Sequence, residues 1–138
     1  MSGDTREWLN SLSYMRQVGG RDFSGADLVS LHPNELRFDH CSFSGADLRL
    51  STLDGCSFLL CDFTRARIAG SSCRGTRFSG CNFTDADLSD CDLTYAKFSL
   101  INTGTEQGLT VMTRARLDGA RLTDAVYEGV VGWSNGPG

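Results

Sequence analysis

The chain has 138 residues with a net charge of −4, and 40% of its residues are hydrophobic, a composition typical of one globular domain. The acidic balance argues against direct nucleic-acid binding, and no apolar run is long enough to predict a membrane span. The first residues lack the apolar stretch of a secretory signal. We therefore expect a cytoplasmic protein with no membrane association.

Residues 1–20 are predicted to form an N-terminal cap segment. The stretch 4–7 (DTRE) is similar to a capping box with an aspartate cap. Trp8, Leu9, Leu12 and Met15 then share one face of a helix. An amphipathic helix of this kind is expected to cap the open end of the structure that follows it.

Large apolar residues recur at every fifth position from residue 23 to residue 98. Most of the sites between the phenylalanines hold leucine or isoleucine, and only Pro33 and Cys73 interrupt the series. The position two residues earlier is small, and the position two residues later is often glycine, which suits a turn with positive φ. A period of five matches neither helix nor strand. Each pentad therefore predicts one short extended side followed by a turn.

The eight phenylalanines sort into two sets with a spacing of twenty residues. One set is Phe23, Phe43, Phe63 and Phe83, and the other is Phe38, Phe58, Phe78 and Phe98. Four pentads per coil predict a square cross-section with two phenylalanine ladders on adjacent sides. Successive coils would lie about 4.8 Å apart like parallel strands, which suits offset ring stacking.

Three stretches of the chain resemble the A(D/N)LXX motif of the pentapeptide-repeat family. They are the pentads that begin at Ala26, Ala46 and Ala86, with the sequences ADLVS, ADLRL and ADLSD. The resemblance covers about residues 20–130. It implies an all-β solenoid, namely a right-handed quadrilateral β-helix of about five coils with an N-terminal capping helix. It implies much less about activity, because a fold does not determine a function.

The register predicts how the chain divides. Residues 21–98 form four coils, residues 99–109 form an inter-coil loop, and residues 110–129 resume as a fifth coil centred on Met112, Leu117, Leu122 and Tyr127. Pro33, at an inward position, is expected to bulge its side. Residues 130–138 form a C-terminal tail that either folds over the last coil or meets another subunit, so we expect a monomer or a weak C-terminal dimer.

The sequence offers no catalytic, cofactor-binding or metal-binding site. All six cysteines fall at inward positions, where reduced structural thiols are expected, and their spacing does not match a zinc motif. No nucleotide-binding or hydrolase motif is present. We therefore expect no enzyme activity and no cofactor.

The outward charges are segregated by side. The side centred on Phe38, Phe58, Phe78 and Phe98 carries Arg37, Arg77 and Lys97 against Asp39, whereas the two sides that follow it carry most of the aspartates. One hypothesis is a non-enzymatic protein-interaction module with a partner of unknown identity, for which outward Leu59 and Leu60 are candidate contacts.

The alternative comes from the family resemblance, because some members modulate or protect DNA gyrase or topoisomerase by DNA mimicry, in antibiotic resistance or self-resistance. Acidic partner-binding candidates for that reading are Asp22, Asp27, Asp47, Asp62, Asp87 and Asp90.

Overall fold

The computed structural model describes residues 2–104 and 108–133. One helix, α1 (Ser2–Ser11), precedes a chain of short strands. The strands are β1 (Gln17–Gly19), β2 (Arg37–Asp39), β3 (Ser57–Leu59), β4 (Arg77–Ser79), β5 (Lys97–Ser99), β6 (Thr110–Val111), β7 (Val126–Tyr127) and β8 (Val130–Val131). Within the described residues, no helix has the length and apolar character needed to cross a bilayer.

The strands stack in parallel to form one side of a solenoid. The sheet runs in the order β1-β2-β3-β4-β5-β7, and its register pairs residues twenty apart up to Phe98. Isolated parallel bridges such as Asp22↔Ser42, Asp27↔Asp47 and Thr52↔Ser72 link the coils on the other three sides. The chain therefore turns four times in each coil.

We number the four sides by their inward residues. Face 1 carries Val18, Phe38, Phe58, Phe78, Phe98 and Tyr127; face 2 carries Phe23, Phe43, Phe63, Phe83 and Met112; face 3 carries Leu28, Leu48, Ile68, Leu88 and Leu117; face 4 carries Pro33, Leu53, Cys73, Leu93 and Leu122. Corner 1 is the turn that follows face 1, and corners 2, 3 and 4 follow the other faces in the same way.

The solenoid is longer at both ends than the phenylalanine register predicts. It begins with β1, inside the predicted cap segment, because Val18 holds the inward position twenty residues before Phe38. At the other end β8, in the predicted tail, pairs with β6. The molecule therefore has about six turns rather than about five.

Two stacks of phenylalanine rings fill the interior behind faces 1 and 2. On face 2 the ring centroids of Phe23, Phe43, Phe63 and Phe83 follow one another at 5.1, 5.0 and 4.9 Å. On face 1 those of Phe38, Phe58, Phe78 and Phe98 follow at 4.9, 5.4 and 5.2 Å. The two stacks meet edge to face, an arrangement that aromatic quadrupoles favour.

Helix α1 covers the first coil. Leu9 and Leu12 are buried, and Asn10 Oδ1 accepts a hydrogen bond of 2.9 Å from the His32 backbone N–H, which has no preceding coil on face 4. The helix starts at Ser2, so Asp4 lies within it and not at its N-cap. Met15 lies beyond the helix end with φ +65°, and it is exposed rather than part of the apolar helical face.

Pro33 changes the turn at corner 4 of the first coil. The proline is buried, and the following Glu35 N–H donates to Pro33 O at 3.1 Å. At corner 2, the residue that corresponds to Glu35 is Gly25, and its N–H instead donates to Ser44 O in the next coil. The local departure from the repeat follows from the ring and the missing N–H of proline.

Every corner between Phe23 and Tyr95 uses the same left-handed backbone. The residue two after each inward residue has φ between +51° and +72°, and only six of these fifteen residues are glycine. The predicted left-handed glycines are confirmed. At several corners a side chain lies over a glycine in the next coil, as Leu50 does over Gly70 and Leu60 over Gly80.

Between β5 and β6 the chain leaves the solenoid and returns to it. Ile101 N–H donates to Gly108 O at 2.8 Å, and Thr110 Oγ1 donates to Ser99 O at 2.6 Å, so the two ends of the excursion are tied together. Residues 105–107 of the predicted loop lie outside the described residues. Tyr127 follows Phe98 by twenty-nine residues, nine more than the ordinary coil.

Candidate partner-binding surface

The candidate aspartates of face 3 share one column with arginines. Along the rod the bridged positions are Asp27, Asp47, Arg67, Asp87 and Arg116. Asp47 Oδ2 lies 3.8 Å from Arg67 Nη1 in the next coil and 2.7 Å from Arg49 Nη2 in its own coil. Only Asp27 and Asp47 are consecutive acids, and arginines occupy two of the three positions that follow, so the column has no continuous negative potential.

Most of the acidic candidates, on face 2 as well as face 3, also accept a hydrogen bond from the backbone of their own turn. Asp22 Oδ1 accepts from Ser24 N–H at 2.9 Å, and Asp62 Oδ1 accepts from Thr64 N–H at 2.9 Å. The Ser24 hydrogen bonds hold the pKa of Asp22 below its usual range. Aspartate at the position before an inward residue therefore helps to close the turn.

The remaining acidic candidate, Asp90, is exposed at corner 3. Its Oδ1 would lie 2.2 Å from a Cβ added to Gly119, so the side chain packs along the corner of the next coil. Nearby acids are paired: Asp85 with Arg114 at 2.7 Å, and Asp92 with Arg74 at 3.0 Å. The acidic candidates are therefore dispersed over faces 2 and 3 and corner 3.

Leu59 and Leu60 are half-buried rather than exposed. A Cβ on Gly80 would lie 2.8 Å from Leu60 Cδ2 and 3.2 Å from Gly108 O. Leu60 therefore packs at corner 1, close to the point where the excursion between β5 and β6 rejoins the solenoid. Leu59 is the last residue of β3, on the outside of face 1. These two leucines contribute less free apolar surface than their outward register predicts.

Two other apolar side chains are far more exposed. Leu50 is 65% exposed at corner 3, and Tyr95 is 60% exposed at corner 4. Both are strained, with φ of +58° and +61°, in a backbone conformation that favours glycine. Their outward register is visible in the sequence, whereas the left-handed backbone beneath a leucine or a tyrosine is not, because glycine is the residue that indicates such a turn.

One surface groove of about 420 Å³ lies between His40, Leu60, Asp62 and Asn82. Across residues 2–104 and 108–133, no three His, Cys, Asp or Glu side chains are grouped so that they could hold a metal ion.

The six cysteine thiols are free and buried inside the solenoid. Cys81 Sγ donates to Phe58 O at 3.2 Å and Cys91 Sγ donates to Ile68 O at 3.1 Å, in each case one coil below. Burial raises the pKa of Cys56 to about 12 and that of Cys91 to about 11. At neutral pH the Cys56 and Cys91 thiols are therefore protonated and poor nucleophiles.

We expect all six thiols to resist an aromatic disulfide reagent at pH 8 while the protein is folded. Labelling requires opening of the solenoid, so it should be about 1,000-fold slower than in denaturant, where all six react. Absorbance at the released thiolate band measures both rates. Rapid labelling of the folded protein would contradict the burial of the six cysteines.

Two solved structures are similar to this chain in fold. QnrB1, a plasmid-mediated fluoroquinolone resistance protein, aligns with a TM-score of 0.59 at 19% identity over 85% of this chain and 73% of its own. A pentapeptide-repeat protein from the Arabidopsis thaliana thylakoid lumen aligns with a TM-score of 0.52 at 22% identity over 80% of this chain. This chain spans 63% of the Arabidopsis protein. At such identities the likeness concerns the fold alone.

Sequence comparison adds the family. No curated protein sequence matches the chain significantly. The family model for pentapeptide repeats matches with eight copies, over residues 22–55, 34–67 and 61–99. These ranges together run from residue 22 to residue 99, which is more than half of the chain. With its five-residue register and its four-sided solenoid, this chain belongs to the pentapeptide-repeat family.

Proposed function

We propose that this chain is a non-enzymatic protein-interaction module whose apolar contacts centre on Leu50 and Tyr95. These side chains stand at corners 3 and 4, on either side of face 4, two coils apart along the rod. That spacing is about 10 Å. A partner that covers face 4 can therefore contact both of them.

The observation that supports this proposal is the double energetic penalty at the two sites. Each side chain exposes most of its apolar surface to water, and each holds a left-handed backbone that costs an L-residue about 1–2 kcal/mol. Glycine fills the equivalent corners at Gly70 and Gly75 without either penalty. Strain retained at a surface site is a common mark of a functional position.

The double variant Leu50→Gly, Tyr95→Gly separates binding from stability. We expect its free energy of unfolding to equal that of the wild type or to exceed it by up to about 1 kcal/mol per site, because relief of strain offsets the greater entropy of the unfolded chain. We expect partner capture to fall at least about ten-fold, since exposed aromatic and large apolar side chains dominate interface energies. Chemical denaturation measures the free energy of unfolding, and quantitative cross-linking in an extract of the source organism measures partner capture.

A matched control is available at the same two corners. The variant Ser30→Gly, Asp124→Gly relieves the same backbone strain at φ +60° and +56° but removes no apolar surface. It should leave partner capture unchanged. Equal losses of capture in both double variants would show that the corner backbone, and not the apolar side chains, determines binding.

The alternative, a DNA-mimicking modulator or protector of gyrase, has support from the fold likeness to QnrB1 but less from the charges. Mimicry requires closely spaced negative charge, whereas Asp47 is paired with Arg49 in its own coil and with Arg67 in the next coil. On this alternative, an Asp27→Lys, Asp47→Lys, Asp87→Lys variant would lose an effect on supercoiling by gyrase that the wild type shows. On the interaction-module proposal, the wild type has no such effect at micromolar concentration.

A further inference from the structure

A straight row of side chains runs along the outside of face 1, perpendicular to its strands. The strand register aligns Gln17, Arg37, Ser57, Arg77 and Lys97 in this row. Neighbouring parallel strands lie about 4.8 Å apart. The Cα atoms of Arg37 and Arg77 are therefore about 10 Å apart, and Lys97 lies about 5 Å further along.

The three cations of this row are unpaired among the residues that the structure describes. Arg37, Arg77 and Lys97 are exposed, and none forms an ion pair with a residue in the described ranges 2–104 and 108–133. Other arginines do form such pairs: Arg49 with Asp47, Arg74 with Asp92, and Arg114 with Asp85. Face 1 is therefore the side on which three aligned cations remain available.

Two acidic residues on the coils that carry Gln17 to Ser57 are directed elsewhere. Asp39, the one acid in β1 to β5, contacts His40 Nδ1 and accepts from Gln17 Nε2 at 3.4 Å. Glu35 lies at corner 4, where its Oε1 would be 2.2 Å from a Cβ added to Gly55. Neither carboxylate neutralises Arg37.

The row borders a groove that can hold an extended chain. A cavity of about 380 Å³ lies between Arg37 and Arg77, with Ser57 between them, and Met15 and Leu59 on its walls. The groove thus offers backbone-sized space with cations on both sides and apolar surface from Leu59.

We propose that face 1 binds an extended acidic segment of a partner protein, with three carboxylates at alternate positions. This inference rests on the proposed function and names the chemistry of one contact. Alternate side chains of an extended chain recur about every 6.8 Å, so three of them span about 14 Å. That length matches the distance from Arg37 to Lys97, and both side-chain types are long enough to adjust for the uneven spacing.

The face is less suited to a nucleic-acid strand. Neither outward row of β1 to β5 contains an aromatic side chain on which a base could stack. The net charge of −4 also repels a polyanion. A short acidic peptide carries far fewer charges and needs no stacking surface.

The test uses a seven-residue peptide, blocked at both ends, with aspartate at positions 2, 4 and 6 and serine elsewhere. Titration into the ¹⁵N-labelled protein at low salt should shift the amide resonances of β2 to β5. The Arg37→Gln, Arg77→Gln, Lys97→Gln variant should bind about ten-fold or more weakly, because each exposed pair contributes a factor of about two to five. The peptide with asparagine in place of aspartate should not bind.

A triple variant with the same charge change controls for general electrostatics. Arg65→Gln, Arg116→Gln, Arg121→Gln removes three exposed cations from other parts of the surface. It should retain the peptide affinity within about two-fold. Equal weakening by both triple variants, or shifts that fall outside β2 to β5, would overturn the proposal. Tighter binding of oligothymidylate to the same amides would also overturn it, in favour of a nucleic-acid surface.

The outcome can be separated from that of the proposed function. If the face 1 variant keeps its cross-linked partner while the Leu50→Gly, Tyr95→Gly variant loses it, the acidic-segment proposal fails and the interaction module stands. If the peptide binds face 1 and the face 1 variant loses the partner while the Leu50→Gly, Tyr95→Gly variant keeps it, the assignment of binding to Leu50 and Tyr95 fails and the acidic-segment proposal stands.

Discussion

Replacing Phe63 by alanine is expected to lower the free energy of unfolding by about 3–5 kcal/mol. Phe63 is fully buried, with its ring centroid 5.0 Å from that of Phe43 and 4.9 Å from that of Phe83. It also meets Phe58 and Phe78 edge to face. Coils above and below hold these neighbours in place, so the cavity cannot collapse, and the full transfer and packing penalty applies.

The control for this change is Ser44→Ala on the outside of face 2. The Ser44 side chain points away from the core, so its loss should change stability by less than about 0.5 kcal/mol. Urea denaturation followed by circular dichroism measures both variants. Similar shifts of the two midpoints would refute the inward register of the phenylalanines.

The second large effect is expected for Gly108→Ala, at the point where the chain rejoins the solenoid. An added Cβ would lie 1.7 Å from Ile101 O, a backbone atom that cannot move without releasing the excursion. We expect a loss of about 2–4 kcal/mol from this overlap and from the broken hydrogen bond between Ile101 and Gly108. Thermal unfolding should show a lower midpoint.

Gly19→Ala is the matched control for steric fit. Gly108 and Gly19 are both free of the left-handed backbone, but the atom nearest to an added Cβ on Gly19 is Asp39 O at 3.9 Å, an ordinary contact. Its stability should stay within about 0.5 kcal/mol of the wild type. If Gly108→Ala were equally mild, the closure of the excursion would be much looser than the structure shows.

The middle of the fold could be predicted from the repeat, because an inward phenylalanine every twenty residues identifies the face of the solenoid as well as the length of the coil. Val18 was harder to assign, since a single valine after a helical pattern carries no mark of the register. The strand Val130–Val131 was missed for a similar reason. At both ends the solenoid is defined by backbone pairing with a neighbouring coil, which local sequence does not reveal.

The candidate surface was less predictable than the core. The register shows that Asp47 and Arg67 share a column, but only the structure shows that Arg49 also folds back onto the same carboxylate. The exposure of Leu60 likewise depends on Gly80 above it and on the returning loop. Inward side chains stack on the equivalent residue of the next coil, whereas the ion pairs and exposure of outward side chains depend on the particular residues in the adjacent coils.

The twenty-residue register also determines how such a protein can change in length. A whole coil can be duplicated or lost while every inward residue keeps a partner above and below it, because each coil contacts its neighbours through the same four sides. A single inserted residue within a side would instead turn the core positions that follow it outward. The excursion between Ser99 and Thr110 shows how nine extra residues are accommodated, since they leave and re-enter the solenoid around one corner. Growth in steps of one coil would lengthen the cationic row and the apolar corners without repacking the interior, so contact number and core stability can evolve separately.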